Sequence, residues 1–244
     1  MIKNRLFENF QRYEFKYILT KNLRDLVEKD ISNFMTLDQF AKKNKMYFVR
    51  SLYFDNEHAT EYYKKIDGML FRKKFRLRTY TRDYDDKTPI FIEIKSRKNK
   101  RTFKKRKKIM FSQLKNYENT HIKNLYENIN DEIDEEFFFQ VFKRGIMPTV
   151  TTDYHRSPYI SEYDRNFRLT FDSFNIIKKT KKLFDNSKNF QRNSLPGYSI
   201  LEIKFDRRIP KWFHRIVQNY NLKRVSVSKF CLAMETADIA QNLE

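Results

Sequence analysis

The sequence predicts an α+β fold: a closed antiparallel β-barrel of about eight strands with helices packed outside it. Three observations point there. Five segments alternate large apolar side chains on one face with charged ones on the other, the signature of extended chain with a side-chain period of two. Three of them set a Glu and a Lys two residues apart on the charged face: Glu14 with Lys16, Glu93 with Lys95, and Glu202 with Lys204. Between the strands lie segments of helical periodicity whose apolar stripes suit them to cover a sheet.

Taken in order, "RYEFKYI" (12–18) puts Arg12, Glu14 and Lys16 opposite Tyr13, Phe15 and Tyr17. A helix follows over 20–35, where Thr20 can cap and Leu23, Leu26, Val27, Ile31 and Phe34 recur at helical spacing. Residues 46–55 read as a strand. In "FRKKFRLRTY" (71–80), Arg72, Lys74, Arg76 and Arg78 share one face, with Phe71, Phe75 and Leu77 on the other. "FIEIKSR" (91–97) sets Glu93, Lys95 and Arg97 against Ile92 and Ile94, and 101–110 is a further, very basic strand. Ser112 opens a helical region whose acidic part, 127–136, leads into "EEFFFQVFKRG", with Gly145 and Pro148 as the stop. Residues 148–156 are extended again, and "FRLTFD" sets Arg168, Thr170 and Asp172 against Phe167, Leu169 and Phe171. A long polar connection spans 178–197. "ILEIKFD" (200–206) is the last strand; Pro210 suits the start of one helix, and Ser228 can cap another running on through "KFCLAMETADIAQNL" (229–243). No composition break divides the chain, so residues 1–244 read as one domain.

Composition narrows the partner. The chain carries 51 Lys and Arg against 31 Asp and Glu, a net charge of +20, which calls for an anionic partner: nucleic acid, acidic membrane or a polyphosphorylated ligand. It has 24 Phe and 15 Tyr, ample for a core, and only 3 Gly and 5 Pro. No apolar run is long enough for a transmembrane segment, and the first residues lack the apolar core of a secretion signal. A lone Cys231 cannot form an internal disulfide, which fits a cytoplasmic location. One Cys and 4 His cannot build a zinc cluster.

An ordinary sheet with one wet side gives the same alternation. Closure is favoured because the apolar faces are bulky enough to hold covering helices, leaving the charged faces to line an interior. Such an interior must hold water, ions or a charged ligand. Arg and Lys would bracket phosphate oxygens while carboxylates hold a divalent metal, the division of labour that phosphoryl transfer needs. Nucleic acid is not expected, since stacking aromatics would have to share the basic face and here they alternate away from it.

In this order, "RYEFKYIL", "RSLYFDN", "RKKFRLRTY", "FIEIKSR", "FKKR", "TTDYHRSPY", "FRLTFDS", "ILEIKFD" and "VSKF" resemble the VTC domain of polyphosphate polymerases, of the triphosphate tunnel metalloenzyme superfamily (CYTH-like). The resemblance spans residues 12 to about 235. It implies a transferase that moves the γ-phosphate of ATP onto polyphosphate inside a tunnel, with Mn2+ or Mg2+. Carried over by position, Lys16, Arg76, Arg78, Lys95, Lys104, Arg106, Arg156, Arg168 and Lys229 should contact phosphates, with Lys16, Arg76, Arg78, Lys95, Arg168 and Glu202 as the catalytic set. Glu202 matches the metal-binding carboxylate, and Glu14 is the other candidate. In other branches of the superfamily two Glu precede the first-strand Lys; here Arg12 stands in place of one. The run 98–108 is so basic that Lys105 or Lys107 could replace Lys104 and Arg106. Alternatives are a triphosphatase of the same fold and a non-catalytic polyphosphate or nucleic-acid binding module. His155 falls on the face opposite Arg156 and reads as structural; Trp212 and Phe137 to Phe139 read as helix-packing residues.

Overall fold

A computed structural model describes residues 13–41, 44–99, 101–118, 129–164, 166–185, 187 and 190–242. Arg12 and the expected helical residues 119–128 lie outside these. The described strands are β1 (Tyr13–Thr20), β2 (Thr36–Leu37), β3 (Tyr47–Asp55), β4 (Phe71–Thr79), β5 (Pro89–Lys98), β6 (Arg101–Met110), β7 (Met147–Ile160), β8 (Arg168–Lys179), β9 (Gln191–Asn193) and β10 (Tyr198–Phe205). All pair antiparallel in one sheet of order β1-β10-β8-β7-β3-β4-β5-β6, with β2 on β7 and β9 on β8.

Two expectations are corrected. The sheet has ten strands, not about eight: β2 and β9 are two and three residues long, too short to show a period. Nor is the ladder closed, because among the described residues β1 and β6 do not pair. The outer edge of β1 is already taken. Val225 N donates to Lys16 O at 2.9 Å and Arg224 bridges to Tyr17, so the segment after the penultimate helix occupies the place a closing strand would need. The opposite edge, β6, carries "KKRKK", and like charges along an edge oppose further pairing.

The sheet nevertheless rolls up. Lys95 on β5, seventh in the order, donates to both carboxylate oxygens of Glu14 on β1, the first, at 2.9 and 2.7 Å. Side chains therefore span a seam that the backbone leaves open.

The apolar faces point outward onto helices, as the alternation requires. Leu52, Phe54, Phe75, Leu77 and Ile92 pack against α4 (Glu132–Arg144), with Phe137 edge-on to Phe54. Asp131 caps α4 by accepting from the N–H groups of Ile133 and Asp134, and Gly145, at φ 61°, ends it in the left-handed conformation that glycine tolerates. Phe137 and Phe138 are buried, but Phe139 is 55% exposed, which corrects the packing role expected of it. Leu169, Phe171, Leu201 and Ile203 pack on α1 (Lys21–Ile31) and α5 (Lys211–Asn219). Trp212 stacks on Phe34 and meets Phe167 edge-on. A third cluster joins Tyr53, Val150 and Ile177 to α2 (Thr60–Ile66) and α6 (Lys229–Thr236), which stops at Thr236 with Ala237 as its C-cap, short of the extent expected, while α3 (Lys115–Glu118) is a single turn.

Candidate functional site: a basic tunnel with four carboxylates

Register alone places the charges. Arg76 on β4 pairs with Glu93 on β5, and Glu93 with Arg106 on β6; one step along, Lys74 pairs with Lys95 and Lys95 with Lys104. Even positions of β4 and β6 and odd positions of β5 therefore share the inner face. Glu93 is fully buried and serves four cations: Arg76 at 2.6 Å, Arg78 at 3.6 Å, Lys104 at 2.6 Å and Arg106 at 3.3 Å. Burial pushes its carboxyl up, but Arg76, Arg78 and Lys104 outweigh that and hold it well below the usual range. Arg76 also donates to Tyr53 Oη, and Arg78 to Ser51 Oγ and Tyr154 Oη, which fixes both guanidinium planes.

The ambiguity in the basic run is resolved here. Lys104 and Arg106 face Glu93, whereas Lys105 pairs with Glu136 and Lys107 with Asp131 and Asp134 on the outside.

Across the tunnel, Arg156 on β7 makes two hydrogen bonds to Asp172 on β8 at 2.7 and 2.8 Å, and Lys229, in the first turn of α6, reaches the same carboxylate at 2.6 Å. Burial raises the Asp172 carboxyl and Arg156 and Lys229 overcome it, leaving it at about 2. A third group forms on β1 and β10, where Lys16 pairs with Glu202 and Glu14 with Lys204. Glu202 lies 3.0 Å from Lys204 and 3.7 Å from Lys16. It too is held well below its ordinary value, burial being outweighed by Lys204 and Lys16. Glu14 is raised by burial but lowered further by Lys95, to about 2. At Lys16 the balance tips the other way: burial wins over its one long contact with Glu202, and its ammonium is depressed.

Arg168 is not gathered in. It begins β8 opposite Lys204 and is exposed, with no ion pair among the described residues. Residues absent from the expected set are Lys74, Glu93, Asp172 and Lys204. The signal was present, since each sits two residues from an expected member on the same strand or on the same charged face.

Burying a charged array is weak support for stability, because desolvation opposes the Coulombic gain. Here cations outnumber carboxylates, and the surplus positive charge suits a bound polyanion. Among the described residues no three metal-ligating side chains lie together. Glu14 and Glu202 are nonetheless diagonal neighbours across β1 and β10, the Glu202 charge raising the Glu14 carboxyl, and both are ionised. One or two carboxylates completed by phosphate oxygens and water is how Mg2+ is commonly held, so this pair fits a hard divalent cation.

A rolled antiparallel sheet whose interior is lined with paired cations and carboxylates defines a tunnel-type fold. The chain belongs to the VTC domain family, which matches residues 11–237. Among solved structures it is similar to a candidate adenylate cyclase from Bacillus halodurans, with 10% identity, TM-score 0.51, and coverage of 90% of this chain and 96% of that one. That likeness is one of fold. A Mimivirus capping enzyme triphosphatase is also similar, at 9% identity and TM-score 0.36 over 88% of this chain and 90% of that one. No helix among the described residues is long and apolar enough to cross a membrane.

Proposed function

We propose that this protein is an ATP-dependent polyphosphate polymerase of the cytoplasm, transferring the γ-phosphate of ATP to a growing polyphosphate chain. The observation that carries this is the convergence of Arg76, Arg78, Lys104, Arg106, Arg156 and Lys229 around carboxylates that all stay ionised.

The terminal oxygen of the acceptor chain attacks the γ-phosphorus in line, the β–γ bridging P–O bond breaks, and ADP leaves with the electron pair. The acceptor is already anionic and needs no deprotonation. Its water-driven counterpart, triphosphate hydrolysis, is served by a general base poised near neutrality. The carboxylates Glu14, Glu93, Asp172 and Glu202 are all held far below that, while burial brings the Lys74 and Lys104 ammonium groups down to about 7. The guanidinium groups bracket equatorial oxygens in paired geometry, and the Lys side chains act as point charges along the chain. Arg168, at the strand end, suits the role of first contact for an incoming phosphate. Glu202 and Glu14 would hold Mn2+ or Mg2+, which when bound neutralises the phosphates and favours the leaving group.

The test is purified protein with ATP and Mn2+. ADP and long-chain polyphosphate are expected, and Glu202→Gln should abolish turnover while tripolyphosphate binding remains. Orthophosphate as the sole product would replace this reading with a triphosphatase; binding without any turnover would replace it with a binding module.

A further inference from the structure

A cavity of about 280 Å³ lies on the other face of the sheet, lined by Phe48, Arg50, Arg82, Asp153, His155 and Phe174, with Ile176, Lys178 and Gln191 completing it. Its separation from the tunnel follows from alternation. On β3 and β7 the tunnel takes Ser51, Tyr154 and Arg156; Arg50, Asp153 and His155 stand between or beside them and point outward.

A bulge builds the far wall. His155 pairs with Ser173 and Asp153 with Ile176, so Phe174 and Asn175 together oppose Tyr154. The extra residue reverses the alternation of β8 and carries Ile176 and Lys178 to the outer face. Phe174 adopts φ 57°, a strained conformation for a residue with a bulky side chain. Its ring is 58% exposed, so core packing does not offset that strain.

The lining has a definite chemistry. His155 is edge-on to Phe48 at 5.8 Å and to Phe174 at 5.9 Å, and Arg50 and Arg82 lie over Phe48, so the exposed ring of Phe174 is the one open to a ligand. Its Nδ1 is buried and unpartnered among the described residues, and burial together with Arg82 depresses the imidazole, keeping it neutral. Arg50 is neutralised by two hydrogen bonds to Asp153, at 2.8 and 2.6 Å. Arg82, over the Phe48 ring at 4.9 Å, and Lys178 have no ion pair among the described residues. Two cations outside any ion pair, Lys178 meeting the Asp185 charge only at longer range, beside an exposed ring suit an anion with a flat body.

We propose that this cavity binds a nucleoside monophosphate, its base on the exposed Phe174 ring and its phosphate on Arg82 and Lys178. The volume is sufficient for a base, since a cavity of roughly 150 Å³ accommodates benzene. A bare phosphate chain would leave the ring unused. This site is independent of the tunnel and of the reaction proposed for it.

The test is calorimetric titration of the full chain with AMP while excess tripolyphosphate fills the tunnel. One AMP per chain is expected, with adenosine and orthophosphate each binding much more weakly. Arg82→Ala should weaken AMP by about tenfold. Phe174→Gly should weaken it by at least about as much, yet raise the thermal midpoint, because glycine accepts the left-handed backbone. That variant separates lost binding from lost folding. Absence of AMP binding with the tunnel filled would overturn the proposal, as would undiminished affinity in Phe174→Gly or orthophosphate binding there as tightly as AMP.

Discussion

Lys74 shows how a single residue can tie charge to ligand. It lies on the tunnel face of β4, its Nζ donates to Ser228 Oγ at 2.7 Å, and no carboxylate is within ion-pair reach among the described residues. Burial, with Lys16, Lys95 and Arg72 adding repulsion, brings its ammonium down to about 7. The folded value is thus below the unfolded one, so between about 7 and 10.5 the unfolded chain binds the extra proton. This group therefore adds stability as pH rises through that window. A bound polyphosphate reverses the preference by stabilising the charged form. We expect tripolyphosphate affinity to fall as pH rises above 7, by up to about tenfold per unit for one linked proton. Titration calorimetry in buffers of different ionisation enthalpy would register proton uptake. Identical pH slopes for the native chain and Lys74→Met would show that Lys74 is not the linked group.

Among the elements, α6 does most to complete the tunnel. Ser228 caps it by accepting from Cys231 N at 3.4 Å while also receiving Lys74, and the first turn presents Lys229 to Asp172. Just upstream, Val227 O accepts from Lys16 Nζ at 3.0 Å. Ser228→Ala should cost about 1 kcal/mol of stability in denaturant titrations, the usual value of a lost cap, and Ser228→Thr should recover most of it. A stability unchanged in Ser228→Ala would remove the cap from this account. The cap was legible in the sequence; α2 was not. It is seven residues long, its N-cap Ala59 has no capping side chain, and two of its N–H groups are satisfied from the preceding strand, where Asp55 accepts from Glu61 N and Tyr62 N. Leu26 likewise sits at helical spacing in α1 yet is 52% exposed, because the sheet reaches only the Val27 and Ile31 side.

For the whole molecule, the open seam is where the tunnel is weakest. Among the described residues β7 and β8 are paired on both sides, whereas β6 has one backbone partner and β1 meets β5 through the Lys95–Glu14 ion pair. Local opening concentrates where backbone hydrogen bonds are least protected. Amide hydrogen exchange should be faster in β6 than in β7 and β8, and tripolyphosphate, bridging cations from both sides of the seam, should slow it chiefly in β1 and β6. Protection gained mainly in β7 and β8 would mean that the ligand does not span the seam.

By itself the sequence determined the eight longer strands, the charged face of those that alternate, and that helices cover the other, because a period of two and a period of 3.6 are local properties. It could not determine the inner face of "KKRKK", where every residue is cationic and no alternation remains; pairing with β5 chose Lys104 and Arg106. Whether the ladder closes was likewise decided only in three dimensions, by residues 224–227 occupying the edge of β1 from more than two hundred positions away along the chain. Edge competition of that kind depends on where distant segments come to rest, and no local pattern records it.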